Sequence, residues 1–205
     1  MTDLRNIVLI GAGGHACACI DVIERTGTHK IAGLVGVPEE VGQSVLGYKV
    51  IGSDDHLENI ALEYQLAHIS AGQIKSAALR KRLFERAIGS GFEFPAIISP
   101  GAWVSPHAKI GRGSIFMNGA VINAGASVGE NCIINSGSIV EHGAKIGDFC
   151  HISTGAIING DVVVGSESFI GSRTVLKEGI SVGSNCIVGM GLSLKTDIPG
   201  QSTLK

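Results

Sequence analysis

The sequence predicts a two-domain protein, with a small Rossmann-like α/β domain over residues 1–95 and a left-handed parallel β-helix of hexapeptide repeats over residues 96–205. Three observations predict this fold class. An apolar residue recurs at every sixth position of the second half, strand-like and helix-like segments alternate through the first half, and aromatic residues make up only 4% of the chain. A core of small aliphatic side chains with few rings is typical of a regular, repeating structure.

The six-residue period begins at Ile98 and reaches Leu194 without a slip, and all of its positions except Phe116 are aliphatic. Four residues after each of these comes a second position that is mostly small, such as Ala144 or Cys150. The alternation of a large and a small interior residue predicts a narrow three-sided prism. Each side takes one six-residue repeat, so one coil contains eighteen residues. Successive coils should stack at the usual strand spacing of about 4.8 Å.

Glycine often follows the aliphatic residue, as at Gly111, Gly129 and Gly147, and we expect these turns to need backbone angles that other residues resist. Three of the five cysteines also follow the repeat. Cys132, Cys150 and Cys186 fall at the small interior position and are expected to be stacked core thiols. With an odd count and no C-x-x-C pair, neither a disulfide framework nor a cysteine-based zinc site is expected.

In the first half, segments with the apolar pattern of a β-strand alternate with segments that have the pattern of an α-helix. Strands are predicted at residues 6–10, 31–35, 48–51 and 67–70, and helices at residues 16–25, 54–63 and 76–90. This βαβ alternation predicts a small parallel sheet flanked by helices.

A glycine-rich loop, residues 11–16, lies between the first strand and the first helix, and its spacing fits G-x-G-x-x-A. Such a loop lets the backbone approach a phosphate at a helix N-terminus. Val35 and Gly36 stand where a dinucleotide site places a ribose-binding acid, so a nucleotide diphosphate fits better than NAD. A tight turn without a ligand is the alternative for this weak motif.

The formal net charge of −2 argues against a nucleic-acid partner. The sequence has no run of 18 apolar residues, so no membrane-spanning helix is predicted. We expect a soluble, cytoplasmic protein with small-molecule partners.

Histidine is the usual base for proton transfer at neutral pH, and the β-helix half contains only His107, His142 and His151. His142 follows Val140 by two residues, at a turn, so its ring should point outward. One coil further on, Gly160 would leave room for a substrate and an N–H that could stabilise an oxyanion. His151 is expected on a flat outer face, and His107 in a solvated turn. An outward histidine that merely faces water is the alternative.

Three segments carry a family resemblance, residues 10–15, 98–104 and 140–153. They resemble the bacterial sugar O- and N-acetyltransferases. The resemblance implies a homotrimer with acetyl-CoA between neighbouring subunits, and a UDP- or GDP-linked sugar on the N-terminal domain. The acceptor it favours is the amino group of a 4-amino-deoxysugar, with O-acetylation of a sialic acid or another sugar as the alternative.

The resemblance also implies roles for individual residues and no metal. His142 would be the general base, and Gly160 would offer its N–H beside the thioester. The remaining implied contacts are with acetyl-CoA, from His151, Ser172 and Met190, and with the nucleotide-sugar, from Gly13, Gly14, His15 and Gly72.

Two departures from the family pattern stand out. Gly143 replaces the acid that many relatives carry directly after the catalytic histidine, and Val35-Gly36 replace the acids that bind the nucleotide base. Two other functions remain open at this stage. One is a metal-dependent hydratase like the γ-type carbonic anhydrases, which needs three histidine ligands. The other is a nucleotide-sugar binder without activity.

Overall fold

A computed structural model describes residues 4–205 and divides the chain into two compact units. The first unit contains the residues up to Gly72 together with Ala78–Pro95. The second contains Ala96–Lys205 together with the short segment Gln73–Ala77. The first is an α/β unit and the second is a left-handed parallel β-helix, so the predicted fold class is confirmed.

Every strand and helix predicted in the first unit is present, with ends that shift by at most two residues. Residues 54–63 begin as a 3₁₀ turn, Asp54–His56, before the α-helix starts, and another 3₁₀ turn spans Pro38–Glu40. The elements are β1 (Arg5–Ile10), α1 (Gly14–Thr26), β2 (His29–Gly36), β3 (Ser44–Val45), β4 (Tyr48–Ser53), α2 (Leu57–Glu63), β5 (Leu66–Ile69) and α3 (Ala78–Gly89).

The five strands of this unit form one sheet in the order β3-β4-β2-β1-β5. All pairs are parallel except the edge pair β3–β4, which is antiparallel, so the predicted parallel sheet is in fact mixed. Strand β1, which lies between β2 and β5, is buried from Ile7 to Ile10, as expected for a strand covered on both faces. None of the helices in the described part of the chain is long and apolar enough to cross a bilayer.

The β-helix is built from strands of two residues that form three faces. Each strand pairs in parallel with the strand eighteen residues further on, as in Ile133↔His151 and Val140↔Ile158. Only the last coil is shorter, since Ile187 pairs with Thr203 and Val182 with Ile198.

The face that begins at Ile97 is named the first face, and the next two along the chain are the second and third. First-face strands are Ile97–Ile98, Ile115–Phe116, Ile133–Ile134, His151–Ile152, Phe169–Ile170, Ile187–Val188 and Thr203–Leu204. Second-face strands are Trp103–Val104, Val121–Ile122, Ile139–Val140, Ile157–Ile158, Val175–Leu176 and Ser193–Leu194. Third-face strands are Lys109–Ile110, Ser127–Val128, Lys145–Ile146, Val163–Val164 and Ser181–Val182.

The interior alternates large and small side chains as predicted. Ile134 and Val140 are fully buried at the large position, and Ala144 and Cys150 at the small one. The predicted stacking of core thiols is confirmed, because Cys132, Cys150 and Cys186 are buried and free. A hydrogen bond with the Cys132 thiol, together with burial, raises the pKa of Cys150.

The glycines that follow the aliphatic residues are needed for a different reason from the one expected. Gly111, Gly129 and Gly147 do not adopt positive φ angles. A methyl group at Gly111 would instead lie 2.4 Å from the backbone of Gly129 in the next coil. The left-handed angles occur two residues later, at glycines such as Gly113 (φ 69°) and also at Asn131 (φ 49°) and Phe149 (φ 55°). Close stacking of the coils, and not backbone freedom, therefore excludes side chains at these three positions.

We expect Ala144→Leu to destabilise the protein by about 1–3 kcal/mol, because the prism has no space for the added methylene groups. Lys145→Leu is the matched control, since Lys145 begins the adjacent third-face strand and is exposed. Denaturant unfolding followed by circular dichroism measures both. Equal midpoints for the two variants would contradict the tight interior packing.

Candidate functional site

His142 lies at the corner between the second and third faces, and its side chain is exposed. Because Val140 points into the prism, the turn that follows it carries the ring outward, as predicted. The imidazole covers Gly160 in the next coil, where a methyl group would lie 2.7 Å from Cε1 and 3.0 Å from Nε2 of His142. Within the described residues, no group accepts the Gly160 N–H, which leaves it available beside the ring.

A cavity of about 400 Å³ opens at this corner, and its lining is strongly acidic. Glu141 holds one carboxylate oxygen 2.7 Å from Nδ2 of Asn123 in the preceding coil. The six lining residues are Glu141, His142, Asn159, Gly160, Asp161 and Glu178. Three carboxylates and no lysine or arginine therefore surround the imidazole.

Gly143 stands where many relatives carry an acid, and the carboxylate of Asp161 in the next coil lies close to that position. Both residues have left-handed backbone angles, and the Asp161 N–H donates to the carbonyl oxygen of His142 at 3.0 Å. Any side chain at Gly143 would collide with the Asp161 carboxylate. The next coil thus fills the space that an acid directly after His142 would occupy.

His151 points out from the first face, as predicted, but it is only 7% exposed because Gln73 covers it. Its Nδ1 lies 2.5 Å from the Gln73 carbonyl oxygen, and its Nε2 lies 3.2 Å from Asn135 Nδ2. The Ser136 N–H donates to Asn135 Oδ1, which turns the Asn135 amino group toward the ring. In this arrangement Nε2 accepts from Asn135 and Nδ1 donates to Gln73, so both ring nitrogens are engaged. Its contact with acetyl-CoA stays a prediction.

Ser172 and Met190 lie at another corner of the prism, between the first and second faces. They are one coil apart, and Met190 is 80% exposed. The Ser172 hydroxyl lies 3.0 Å from that of Ser153. A single chain therefore does not bring these two residues to the corner that holds His142 and Gly160.

The second face, which separates those two corners, is apolar on its outer side. Its outward residues are half-buried in the chain, apart from Trp103, which is 62% exposed, and Ser193 in the last strand, which is also exposed. The apolar members are Trp103, Val121, Ile139, Ile157 and Val175. On the third face, by contrast, Lys109, Ser127, Lys145, Val163 and Ser181 occupy the same outward position.

In the first unit, the glycine-rich loop joins β1 to α1. Gly11 has a φ of 117°, and a methyl group there would lie 2.6 Å from the Ala71 nitrogen. Gly13 is the N-cap of α1 and provides no side-chain cap, while Gly14 has open space around it. The first-turn N–H groups can therefore face an anion.

The structure also brings Gly72 and His15 together. A methyl group at Gly72 would lie 3.4 Å from Cβ of His15. The buried Arg80 guanidinium donates to the carbonyl oxygens of Ile69 and Ala71, which fixes the end of β5 just before Gly72. Burial and the nearby positive charge of Arg80 hold the pKa of His68 well below its usual range. Gly72 was predicted as a site residue from the sequence, and Arg80 was not.

A cavity of about 290 Å³ lies beside the loop, at the carboxyl ends of the parallel strands. Glu40, Asp54 and Arg82 contribute its charges, and none of them was predicted as a site residue. The lining consists of Ile10, Gly11, Ala12, Gly13, Val35, Gly36, Val37, Glu40, Asp54, Ala71, Gly72, Leu79, Arg82 and Leu83.

Two kinds of family model match the chain. The PglD N-terminal domain matches residues 6–87. The bacterial transferase hexapeptide model matches residues 107–142 and 125–160, and the hexapeptide repeat of succinyl-transferase matches residues 161–195.

Solved structures match over nearly the whole chain. A histidine-to-asparagine mutant of perosamine N-acetyltransferase from Caulobacter crescentus, in complex with CoA and GDP-perosamine, is 30% identical with a TM-score of 0.91. The match covers 98% of this chain and 93% of that one. The acetyltransferase domain of PglB from Neisseria gonorrhoeae FA1090, in complex with acetyl coenzyme A, is 32% identical with a TM-score of 0.87 and coverages of 96% and 94%.

This chain belongs to the bacterial hexapeptide-repeat sugar acetyltransferases. WeeI from Acinetobacter baumannii AYE shares the fold at 22% identity, with a TM-score of 0.86 and coverages of 97% and 95%. A comparison with curated proteins finds no significant match. Within residues 4–205 of a single chain, no group of three histidine, cysteine or acidic side chains is placed to hold a metal ion.

We expect Gly160→Ala to lower kcat by about 10- to 100-fold, because the added methyl group must displace the imidazole of His142, the predicted general base, and small displacements of a catalytic group cost that much. Steady-state acetyl transfer measures the effect, with the melting temperature as the check on folding. Added to His142→Ala, the same change should cost almost nothing further, since the ring that it displaces is already gone. A full additional loss in the double variant would contradict this geometry.

Proposed function

We propose that this acetyltransferase moves the acetyl group of acetyl-CoA to the amino group of a nucleotide-linked 4-amino-deoxysugar, with His142 as the general base. The observation that carries the proposal is the exposed imidazole over Gly160 in an acid-lined cavity. The similar Caulobacter crescentus protein was crystallised with CoA and GDP-perosamine, and a histidine of that protein was chosen for replacement by asparagine and by alanine.

The proposed reaction is a direct transfer without a covalent enzyme intermediate. The amine nitrogen attacks the thioester carbonyl carbon and forms the C–N bond, while His142 removes a proton from the nitrogen. The Gly160 N–H would stabilise the oxyanion that develops on the carbonyl oxygen. The C–S bond then breaks, and the CoA thiolate takes up a proton, so that an amide and free CoA thiol are the products.

The acidic cavity favours an amine acceptor over a hydroxyl group. Glu141, Asp161 and Glu178 create a negative potential that attracts a protonated amine. The amine releases one proton to solvent before it attacks, and His142 takes the second as the C–N bond forms. The same potential repels the carboxylate of a sialic acid. Each of these carboxylates is at least partly exposed, so the preference comes from their summed field and not from one strong pair.

We also propose a homotrimer in which acetyl-CoA lies between neighbouring subunits. The apolar outer side of the second face separates the His142 corner from the Ser172–Met190 corner. If three copies pack through this face, the His142 corner of one copy can meet the other corner of its neighbour. Gly160 would then lie near the thioester, while Ser172 and Met190 contact the CoA chain. In this arrangement His151 would approach acetyl-CoA only at the small part of its ring that Gln73 leaves exposed.

On the sugar side, Gly13, Gly14, His15 and Gly72 would hold the diphosphate of the nucleotide-sugar at the N-terminus of α1. We place the protein in the cytoplasm. The five free cysteines support this location, because a reducing compartment keeps thiols unpaired.

His142→Ala should lower kcat/KM by about 10²- to 10⁴-fold, the usual contribution of a general base. His107→Ala is the matched control, because His107 lies in an exposed turn of the same β-helix and should keep full activity. The assay is CoA thiol release with UDP-, GDP- and dTDP-linked amino sugars and with free sialic acid. Turnover of sialic acid alone would replace the amine assignment with O-acetylation. No turnover with any acceptor would favour a binding protein.

Ile157→Glu should convert the trimer to monomers, because it places a charge at the centre of the apolar face. Val163→Glu, on the outer side of the third face and 39% exposed, should leave the assembly intact. Light scattering after size-exclusion chromatography measures the mass of both. An unchanged trimer for Ile157→Glu, or a wild-type monomer, would contradict the proposed interface.

A further inference from the structure

The cavity of the first unit contains a carboxylate, that of Glu40, near the end of β2, where Val35 and Gly36 provide none. Strand β2 ends at Gly36, and four residues later the 3₁₀ turn Pro38–Glu40 directs Glu40 back toward the strand. Its Oε2 accepts the Val37 N–H at 3.0 Å, and any side chain at Gly36 would collide with it. The acid is thus built into the wall of the cavity by a backbone hydrogen bond and by the glycine beside it.

The other charges of this cavity do not neutralise Glu40. Asp54 is bonded to Arg86, whose Nη1 lies 3.3 Å from Oδ2 of Asp54. Arg82 lines the cavity, but no ion pair within 4.0 Å joins it to Glu40 in the described part of the chain. Oε1 of Glu40 likewise has no donor among the described residues, so this carboxylate can accept further hydrogen bonds from a ligand.

The surroundings of Glu40 suit a planar, partly apolar group. Val35, Val37 and Leu79 line the same cavity, and the N-terminus of α1 lies at the glycine-rich loop on its margin. A nucleotide whose diphosphate meets the Gly13–Gly14 turn would therefore place its base among these aliphatic side chains. The edge of that base would face the Glu40 carboxylate.

We infer that Glu40 selects guanine, so that the nucleotide-sugar site takes a GDP-linked acceptor. This inference rests on the proposed function of the chain as an enzyme for nucleotide-linked sugars. Guanine presents two adjacent donors, N1–H and the N2 amino group, which match the two oxygens of one carboxylate. Uracil and thymine present a single N–H that lies between two carbonyl oxygens, and a carboxylate repels those oxygens. Adenine presents an amino group beside an acceptor nitrogen.

The test is the binding of free GDP, UDP, dTDP and ADP to the full-length protein, measured by isothermal titration calorimetry. Wild type should bind GDP at least about 10-fold more tightly than the other three, as expected for charge-assisted hydrogen bonds to a single base. Glu40→Gln should lose about 10-fold in GDP affinity, because an amide cannot accept both donors, and should bind UDP as wild type does. Glu39→Gln, on the same turn but exposed and outside the cavity lining, is the matched control and should behave as wild type.

The comparison of the four diphosphates on the wild-type protein can refute the inference by itself, even if Glu40→Gln does not fold. Equal or tighter binding of UDP or dTDP by wild type would overturn it, as would a Glu40→Gln protein that is folded and keeps the preference for GDP. Acetyl transfer measured in parallel separates this failure from that of the proposed function. Binding of UDP with active transfer to a UDP-linked amino sugar overturns only the role of Glu40. An absence of binding by all four diphosphates, together with no acetyl transfer to any nucleotide-linked amino sugar, overturns both.

Discussion

The hydrogen-bonded ladder between successive coils is the constraint on which the rest of the β-helix depends. Each strand contributes only two residues, and the pairing offset stays at eighteen residues until the last coil. A fixed offset stacks each residue on the one eighteen positions later, so Cys132 lies beneath Cys150 and His142 beneath Gly160. Large and small side chains alternate in the interior and keep this register, because a shift would bring two large residues together in a narrow prism.

The same ladder explains why the site looks incomplete within one chain. It holds His142 and Gly160 at one corner, and it holds Ser172 and Met190 at another, with an apolar face between them. No local rearrangement of a coil can close that gap, since the corners are fixed by the backbone pairing. In the proposed trimer, an acetyl-CoA molecule between neighbouring copies would contact both sets of residues. Assembly through the apolar face would supply the second corner.

The sequence was sufficient to predict the fold because both periodicities are local. A six-residue repeat without a slip leaves little choice of architecture, and the elements of the first unit follow from apolar runs bounded by turns. The eighteen-residue spacing of stacked positions also placed Gly160 beside His142. Contacts made by loops were not predictable in this way. Glu40 reaches Gly36 through a 3₁₀ turn, Asp161 fills the space at Gly143 from the next coil, and Gln73 covers His151 from far earlier in the chain. Each depends on a side-chain direction that spacing alone does not encode.

A crystal structure with CoA and a GDP-linked 4-amino sugar tests the central claim most directly. The deciding quantity is the distance from the His142 ring nitrogen to the sugar amine. Our account places these atoms within hydrogen-bonding distance, about 2.6–3.2 Å or one intervening water, with the CoA sulfur near the Gly160 N–H. An amine bound away from His142, or a CoA sulfur at a corner without Gly160, would contradict it.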